Sequence, residues 1–258
     1  MKIATFNVNS IRSRIELIAQ WIARAEPDVL CFQEIKVQDS GFPEPVFREL
    51  GYESAVYGQK SYNGVTICSR LPMDAIRRGF GDPDWDQQSR LLTAEIAGIT
   101  VINAYCPHGG PRGSDKYDYK FGFYQKLTEY CRQLIDSGKV LCLVGDLNIA
   151  RSDQDVWDPV LLQDAIGTQP EEREALAGLL GTGLCDVFRD RNPERNGFTW
   201  WDYVGGGIWK DQGMRIDYIL VSPSLTDKVG SIEPDLWPRR RREPKPSDHT
   251  PVVAVINT

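Results

Sequence analysis

A short apolar run near the middle of the chain is the feature that most constrains its fold. Residues Val140 to Val144 are apolar and rich in β-forming types, and polar sequence flanks the run. Such a run predicts a strand that is buried on both faces of a sheet. The strand ends at Gly145, Asp146 and Asn148. A carboxylate and an amide there indicate a ligand site, because burying them without a partner is unfavourable, although Gly-Asp-x-Asn is also typical of a simple turn.

Length and composition favour one domain. The chain has 258 residues, enough for a large core, and contains no Gly/Ser/Pro-rich linker, repeat or low-complexity tract. We therefore expect residues 1–258 to form a single domain. Met1-Lys2-Ile3 leads directly into a strand, and no apolar run approaches about 18 residues. These features predict a soluble, cytoplasmic protein that is not exported and has no membrane span.

The metal-binding residue types limit the chemistry of any site. The six cysteines form no C-x-x-C pair, and Cys31 and Cys142 lie inside apolar runs, which favours a reducing compartment and not a zinc site. The two histidines, His108 and His249, are too few to hold a metal by themselves. Carboxylate and amide oxygens remain, and these ligands suit Mg²⁺ or Mn²⁺.

The charge of the chain gives no sign of a nucleic-acid partner. Its formal net charge is -6, whereas a basic surface is typical of proteins that bind nucleic acid. The run Arg239 to Arg242 is a local exception.

Hydrophobic periodicity predicts an α/β protein. Strands are predicted at 2–8, 29–32, 52–57, 64–69, 91–97, 99–105, 140–144, 215–221, from Ile232 onward and at 251–256, and helices at 10–25, 116–137 and 170–180. The mixture indicates layers of helices with sheets in the middle. So many strands predict two facing sheets.

Polar residues follow or interrupt several of the predicted strands. They are Asn7, Glu34, Tyr105, Asp146 with Asn148, Asp217, and Asp248 with His249. Each one alone has a structural interpretation as a cap, a packed aromatic or a buried hydrogen-bonded group. Together they favour a ligand site, because α/β sheets bind ligands just outside such strand ends.

The motifs at these strand ends resemble the exonuclease III family of abasic-site endonucleases, within the endonuclease/exonuclease/phosphatase superfamily. They run through the whole chain in order: Asn7-x-Asn9 with Arg12, Gln33-Glu34, Asn103-x-Tyr105-x-Pro107, Gly145-Asp146-x-Asn148, Thr199-Trp-Trp-Asp-Tyr203, Arg215-Ile-Asp217-Tyr218 and Ser247-Asp248-His249. The resemblance implies a four-layered α/β sandwich, with two facing mixed β-sheets flanked by helices.

The resemblance also implies an activity. It is metal-dependent hydrolysis of duplex DNA, with incision 5′ to abasic sites and with 3′-phosphatase, 3′-phosphodiesterase and 3′→5′ exonuclease activity. The cofactor would be Mg²⁺ or Mn²⁺, the substrate duplex DNA with abasic sites or blocked 3′ ends, and the enzyme a monomer. The sequence does not rank these activities, because they share one chemistry.

The resemblance assigns roles to residues of this chain. The catalytic residues would be Tyr105, Asp146, Asn148, Asp217 and His249. The metal ligands would be Asn7, Glu34 and Asp248, with Asp146 and Asn148 beside them. The substrate-binding residues would be Asn9, Arg12, Trp200, Met214, Arg215 and Ile216.

The chain departs from the family pattern near the expected substrate pocket. Met214 stands where an aromatic residue is common, Asn9 stands where an acid sometimes stands, and 205–213 is rich in glycine. We expect His108 to be a surface or substrate-contact residue. Arg239 to Arg242 are either DNA-phosphate contacts or a solvated charge run.

Two other functions remain open at this point. A non-catalytic nucleic-acid-binding relative would have lost metal or base residues, and the set here is complete. A phosphatase from another branch of the superfamily would be expected to carry a different arginine-bearing motif in place of Thr199-Trp-Trp-Asp-Tyr203.

Overall fold

Two mixed β-sheets face each other in the middle of the molecule, a computed structural model that describes residues 1–257. The first sheet has six strands in the order β12-β13-β1-β2-β4-β3, and the second has five in the order β11-β8-β7-β6-β5. One pair in each sheet is parallel, β1 with β2 and β7 with β8, and the other pairs are antiparallel. The strands are β1 Lys2–Asn7, β2 Val29–Gln33, β3 Glu53–Tyr57, β4 Val65–Ser69, β5 Asp74–Arg78, β6 Leu91–Ile96, β7 Ile99–Tyr105, β8 Leu141–Asp146, β9 Trp200–Trp201, β10 Gly213–Met214, β11 Asp217–Val221, β12 Val229–Pro234 and β13 Val252–Ile256.

Helices cover the outer face of each sheet. The helices are α1 Ile15–Ala25, α2 Glu44–Glu49, α3 Asp115–Asp136, α4 Pro170–Leu180, α5 Val187–Arg191 and α6 Pro223–Thr226. Helices α1 and α2 cover the first sheet and α3 and α4 the second, whereas the buried residues of α5 and α6 belong to the core between the sheets. Trp21 of α1 packs with Phe6 of the first sheet, and Leu127 of α3 packs in one core with Leu143 of the second. The layers are therefore helix, sheet, sheet, helix, which confirms the predicted fold class.

Strand alternation decides which polar groups reach the space between the sheets. In β1, Ile3 belongs to the core between the sheets, whereas Ala4 and Phe6 belong to the core beneath the helices. Because side chains alternate along a strand, Thr5 and Asn7 point the same way as Ile3. The same parity in the other strands directs Gln33, Asn103, Tyr105, Asp146 and Asp217 into this layer. The polar site residues therefore lie at one end of the space between the two sheets, and apolar side chains fill the other end.

Several predicted boundaries differ from the structure. The predicted helix from 10 to 25 begins as a 3-10 turn at Arg12–Arg14, and its α-helical part starts at Ile15. The positive φ angles of Asn9 and Ser10 prevent an earlier start. The predicted strand at 215–221 begins at Asp217. The pattern also missed α2, α5 and the exposed edge strand β5, which are short and have little buried periodicity. No helix in residues 1–257 is both long and apolar enough to cross a membrane.

Candidate active site

A cavity of about 270 Å³ lies where the carboxyl ends of β1, β2, β7 and β8 meet. It is lined by Glu34, Tyr105, His108, Asp146, Asn148, Ile166, Gly167, Trp200, Met214, Ile216, Asp248 and His249. The structure therefore brings together most of the residues that the sequence predicted for the site. Wider grooves elsewhere on the surface contain fewer of the titratable residues that the motifs identified.

Asn7 joins two carboxylates at the floor of the cavity. Its Nδ2 donates to Glu34 Oε1 and to Asp146 Oδ2, each at 2.8 Å. Its Oδ1 accepts from the main-chain N–H of Asn9 at 3.0 Å. An amide oxygen has two lone pairs, so Oδ1 can still accept a cation, and the role of Asn7 as a metal ligand stays a prediction. Through its Nδ2, Asn7 also connects the carboxylates of Glu34 and Asp146.

His249 lies between two carboxylates from the second sheet. Its Nδ1 is 2.9 Å from Asp217 Oδ2, and its Nε2 is 3.7 Å from Asp146 Oδ2. Asp217 and Asp146 are themselves partners in the register of β11 and β8. His249 reaches them from the segment before β13, which belongs to the first sheet. The imidazole therefore connects the two sheets across the cavity.

The charges of this group are strongly coupled. Burial alone would lower the pKa of His249, but the carboxylates of Asp217 and Asp146 outweigh burial and raise it to about 10. Burial raises the pKa of Asp146 to about 7, and Asp217 adds to this rise while His249 opposes it. Burial also raises the pKa of Tyr105 well above its usual range, so its hydroxyl stays protonated. The site thus combines proton donors with one carboxylate able to exchange a proton near neutral pH.

Asp248 is held by two neutral donors. Asn9 Nδ2 donates to its Oδ1 at 2.9 Å, and the indole N–H of Trp200 donates to its Oδ2 at 3.2 Å. Burial would raise the pKa of Asp248, but His249 and these hydrogen bonds hold it below its usual value. The pKa of Glu34 is also below its usual value, because Lys36 and Asn7 outweigh the effect of burial.

The donor set fits a hard divalent cation. Ligand atoms of Glu34, Asp146 and His249 lie within 4.8 Å of one another. The raised pKa of His249 favours an imidazolium, which cannot bind a metal, so within this group the carboxylates of Glu34 and Asp146 are available to a cation. Asp248 lines the same cavity. Oxygen ligands of this kind suit Mg²⁺ or Mn²⁺.

An apolar wall forms one side of the cavity. Met214 and Ile216 are buried together in a small cluster, and Trp200 packs against them. Trp200 pairs with Met214 in the short ribbon of β9 and β10. All three residues line the cavity.

Three predicted contact arginines lie elsewhere. Arg215 is buried, and its guanidinium donates to Asp155 and Asp186 and has no donor directed at the cavity. Arg12 is exposed on the 3-10 turn, outside the cavity lining. Arg239 is buried and donates to the main-chain oxygens of Trp201 and Asp248. The guanidinium groups of Arg215 and Arg239 therefore bind groups of the protein itself next to the wall.

A buried polar layer that the sequence did not predict lies beneath the site. Gln33 Nε2 donates to Thr5 Oγ1 at 2.9 Å and to Asn103 Oδ1 at 2.7 Å. Asn103 Nδ2 then donates to the main-chain oxygens of Phe32 and Thr66. This network crosses between the two sheets. Gln33 and Asn103 belong to the family motifs. Their hydrogen-bond partners lie in other strands, so the neighbouring sequence does not predict these contacts.

The fold and the site make the chain a phosphodiester hydrolase. It belongs to the Endonuclease/Exonuclease/phosphatase family, which matches residues 4–249. The chain is 36% identical to exodeoxyribonuclease III of Haemophilus influenzae, and the match covers 98% of this chain and 99% of that protein.

Solved structures agree with this membership. An AP endonuclease from Archaeoglobus fulgidus is 38% identical, with a TM-score of 0.95 over 100% of both chains. A 3′ phosphatase from Neisseria, solved with a product DNA hairpin, is 36% identical with a TM-score of 0.96 over 100% of both chains.

Proposed function

We propose that the chain is a divalent-metal-dependent DNA repair enzyme. It would incise duplex DNA 5′ to abasic sites and remove blocking groups and nucleotides from 3′ ends. The observation that carries the proposal is the meeting of Asp146 with the His249–Asp217 pair in a cavity that also holds Glu34 and Asp248. The names of the related exodeoxyribonuclease III, AP endonuclease and 3′ phosphatase support the choice of substrate.

In this mechanism different side chains would accept a proton, donate hydrogen bonds to the phosphate and hold the metal. Asp146 would accept the proton of the attacking water. The imidazolium of His249, the Tyr105 hydroxyl and the Asn148 amide would donate to phosphate oxygens as negative charge develops there. Asn7, Glu34 and Asp248 would hold Mg²⁺ or Mn²⁺, with Asp146 and Asn148 beside them, and the cation would supply positive charge against the phosphate.

The cavity wall would receive the deoxyribose. Trp200, Met214 and Ile216 present an apolar surface, and Met214 is a flexible side chain that adapts to different shapes. We propose that the pocket accepts a base-less sugar and also tolerates other 3′ ends. Asn9 would act indirectly, through its hydrogen bond to Asp248.

Contacts to the DNA backbone would come from exposed arginines. Arg240 and Arg242 are exposed in the run that ends near Asp248, and Arg12 is exposed on its 3-10 turn. Arg241 stacks on Trp237, with 4.0 Å from its guanidinium carbon to the ring centroid. These side chains would supply the positive charge that the acidic composition lacks.

We also propose that the enzyme works in the cytoplasm as a monomeric single domain. The thiols of all six cysteines are free, which suits a reducing compartment. Every catalytic group named above comes from one chain, so a second copy is not needed to complete the site. Light scattering at assay concentration should give the mass of one chain, and a dimer mass would contradict the monomer.

The test is incision of a duplex that contains one abasic site. We expect cleavage with Mg²⁺, none after chelation by EDTA, and recovery when Mg²⁺ is restored. Asp146→Asn should bind the duplex but cleave it very slowly, because an amide cannot accept a proton. Full activity in EDTA would refute the metal mechanism, and binding without any cleavage by the wild type would favour the non-catalytic alternative.

A further inference from the structure

A buried ion pair lies directly behind the cavity. Lys120 of α3 and Glu172 of α4 are 2.5 Å apart, Nζ to Oε1, and their side chains are only 1% and 2% exposed. Burying two charges carries a desolvation penalty that largely offsets their attraction, so such pairs contribute little net stability. Stability alone therefore does not account for this pair.

The ammonium group of Lys120 uses all of its protons on fixed partners. Besides Glu172, it donates to the main-chain oxygen of Asn148 at 2.9 Å and to that of His108 at 3.1 Å. Asn148 has a φ of 54°, a left-handed conformation that few residues other than glycine and asparagine adopt. The contact from Lys120 helps to hold Asn148 in that conformation.

The second carboxylate oxygen of Glu172 holds another loop. It accepts from the main-chain N–H of Gly167 at 2.6 Å and from that of Gln169 at 3.1 Å. One ion pair therefore binds four main-chain groups from three segments of the chain. His108, Asn148 and Gly167 from these segments all line the cavity.

We propose that Lys120 and Glu172 are positioning residues for the hydrolytic reaction. They set the Asn148 amide against the phosphate and fix the Gly167 loop as one wall of the pocket. Neither side chain lines the cavity itself. The proposal rests on the proposed function, because it assigns Asn148 a role in binding the phosphate.

The charge on Glu172 is essential to this arrangement. A carboxylate can accept on both oxygens, one toward Lys120 and one toward the two N–H groups. A glutamine of the same shape has only one accepting atom, so Glu172→Gln must direct an NH₂ group at other donors. The loops should then shift, and a displacement of about 1 Å lowers a rate by up to about 10²-fold.

The experiment measures single-turnover incision and DNA affinity separately. We expect Glu172→Gln to lower the rate of the chemical step by about 10- to 100-fold with little change in Kd for the duplex. The matched control is Glu171→Gln, the preceding residue, whose carboxylate forms an exposed pair with Arg112. The control should keep the wild-type rate. Equal behaviour of the two variants would overturn the proposal.

A double-mutant cycle with Asn148→Ala tests whether the effect passes through Asn148. We expect Glu172→Gln to slow the reaction much less when Asn148 is already absent. Fully additive effects would mean a general structural role and would refute the inference. If the wild type itself does not incise the duplex, the proposed function fails first, and the two failures remain distinct.

A second variant keeps the test valid if Glu172→Gln folds poorly. Lys120→Met with Glu172→Gln removes both charges at similar volume, which is often nearly neutral for stability. We expect this double variant to melt cooperatively and still show the slow chemical step. Failure of both variants to fold would make the pair a folding element and overturn the positioning role.

Discussion

Neutralising Asp217 should remove the positive charge from His249. In Asp217→Asn the side chain keeps its shape, and its contact with His249 Nδ1 at 2.9 Å loses the carboxylate charge. The native pKa of His249 is about 10 because Asp217 and Asp146 outweigh the effect of burial. The imidazolium therefore persists in the wild type across the whole neutral range.

The size of the effect follows from the separation of the charges. At an effective dielectric constant of about 20, unit charges 2.9 Å apart attract by about 6 kcal/mol. This corresponds to about 4 pKa units, so the pKa of His249 should fall from about 10 to about 6. At about pH 7.5 only about one His249 in 30 would then carry its proton, and the rate should fall about 30-fold. At about pH 6 the deficit should shrink to about twofold.

The assay is single-turnover incision of an abasic-site duplex with saturating Mg²⁺ between about pH 5.5 and 9. The ratio of wild-type to variant rates is the relevant quantity, since pH effects that are common to both enzymes cancel in it. The exposed Asp227→Asn serves as the control and should give a ratio near one throughout. A ratio for Asp217→Asn that is large but independent of pH would refute the charge argument and leave only an orienting role.

Three further predictions concern the metal, the wall and the DNA backbone. Glu34→Ala should raise the Mg²⁺ concentration needed for half-maximal rate without changing the melting temperature, and unchanged metal dependence would exclude it as a ligand. Trp200→Phe removes the N–H donor to Asp248 and should raise the Mg²⁺ concentration needed for half-maximal rate. Trp200→Ala should in addition impair abasic-site incision more than 3′-phosphate removal. Equal losses of kcat/KM on both substrates would contradict the pocket assignment. Arg240→Gln with Arg242→Gln should flatten the log–log salt dependence of DNA binding by up to about 2, and an unchanged slope would exclude phosphate contacts.

Much of the site could be predicted because it lies at strand ends. An apolar run such as Val140 to Val144 predicts its own strand, and the residues that follow it must lie at the sheet edge. Alternation then fixes the face, so the convergence of Asp146 and Tyr105 follows from local patterns. The motifs of the family supplied the rest of the catalytic set.

Partners that are distant in the sequence could not be predicted in the same way. Arg215 stands next to pocket residues, yet its guanidinium binds Asp155 and Asp186, which precede it by 60 and 29 positions. Nothing local distinguishes an arginine that meets a phosphate from one that is neutralised within the protein. The hydrogen bond from the Asn7 amide to Asp146 could not be predicted for the same reason, because the two residues are 139 positions apart in the sequence.

The position of β13 has a consequence for the timing of activity during synthesis. This strand lies inside the first sheet, between β12 and β1, and Asp248 and His249 immediately precede it. Ser247 Oγ also donates to the main-chain oxygen of Asn7 at 2.8 Å, a contact across 240 positions. A nascent chain on the ribosome therefore lacks both the imidazolium and an interior strand until this segment emerges. Nuclease competence should therefore appear only after this segment has emerged and β13 has joined the first sheet.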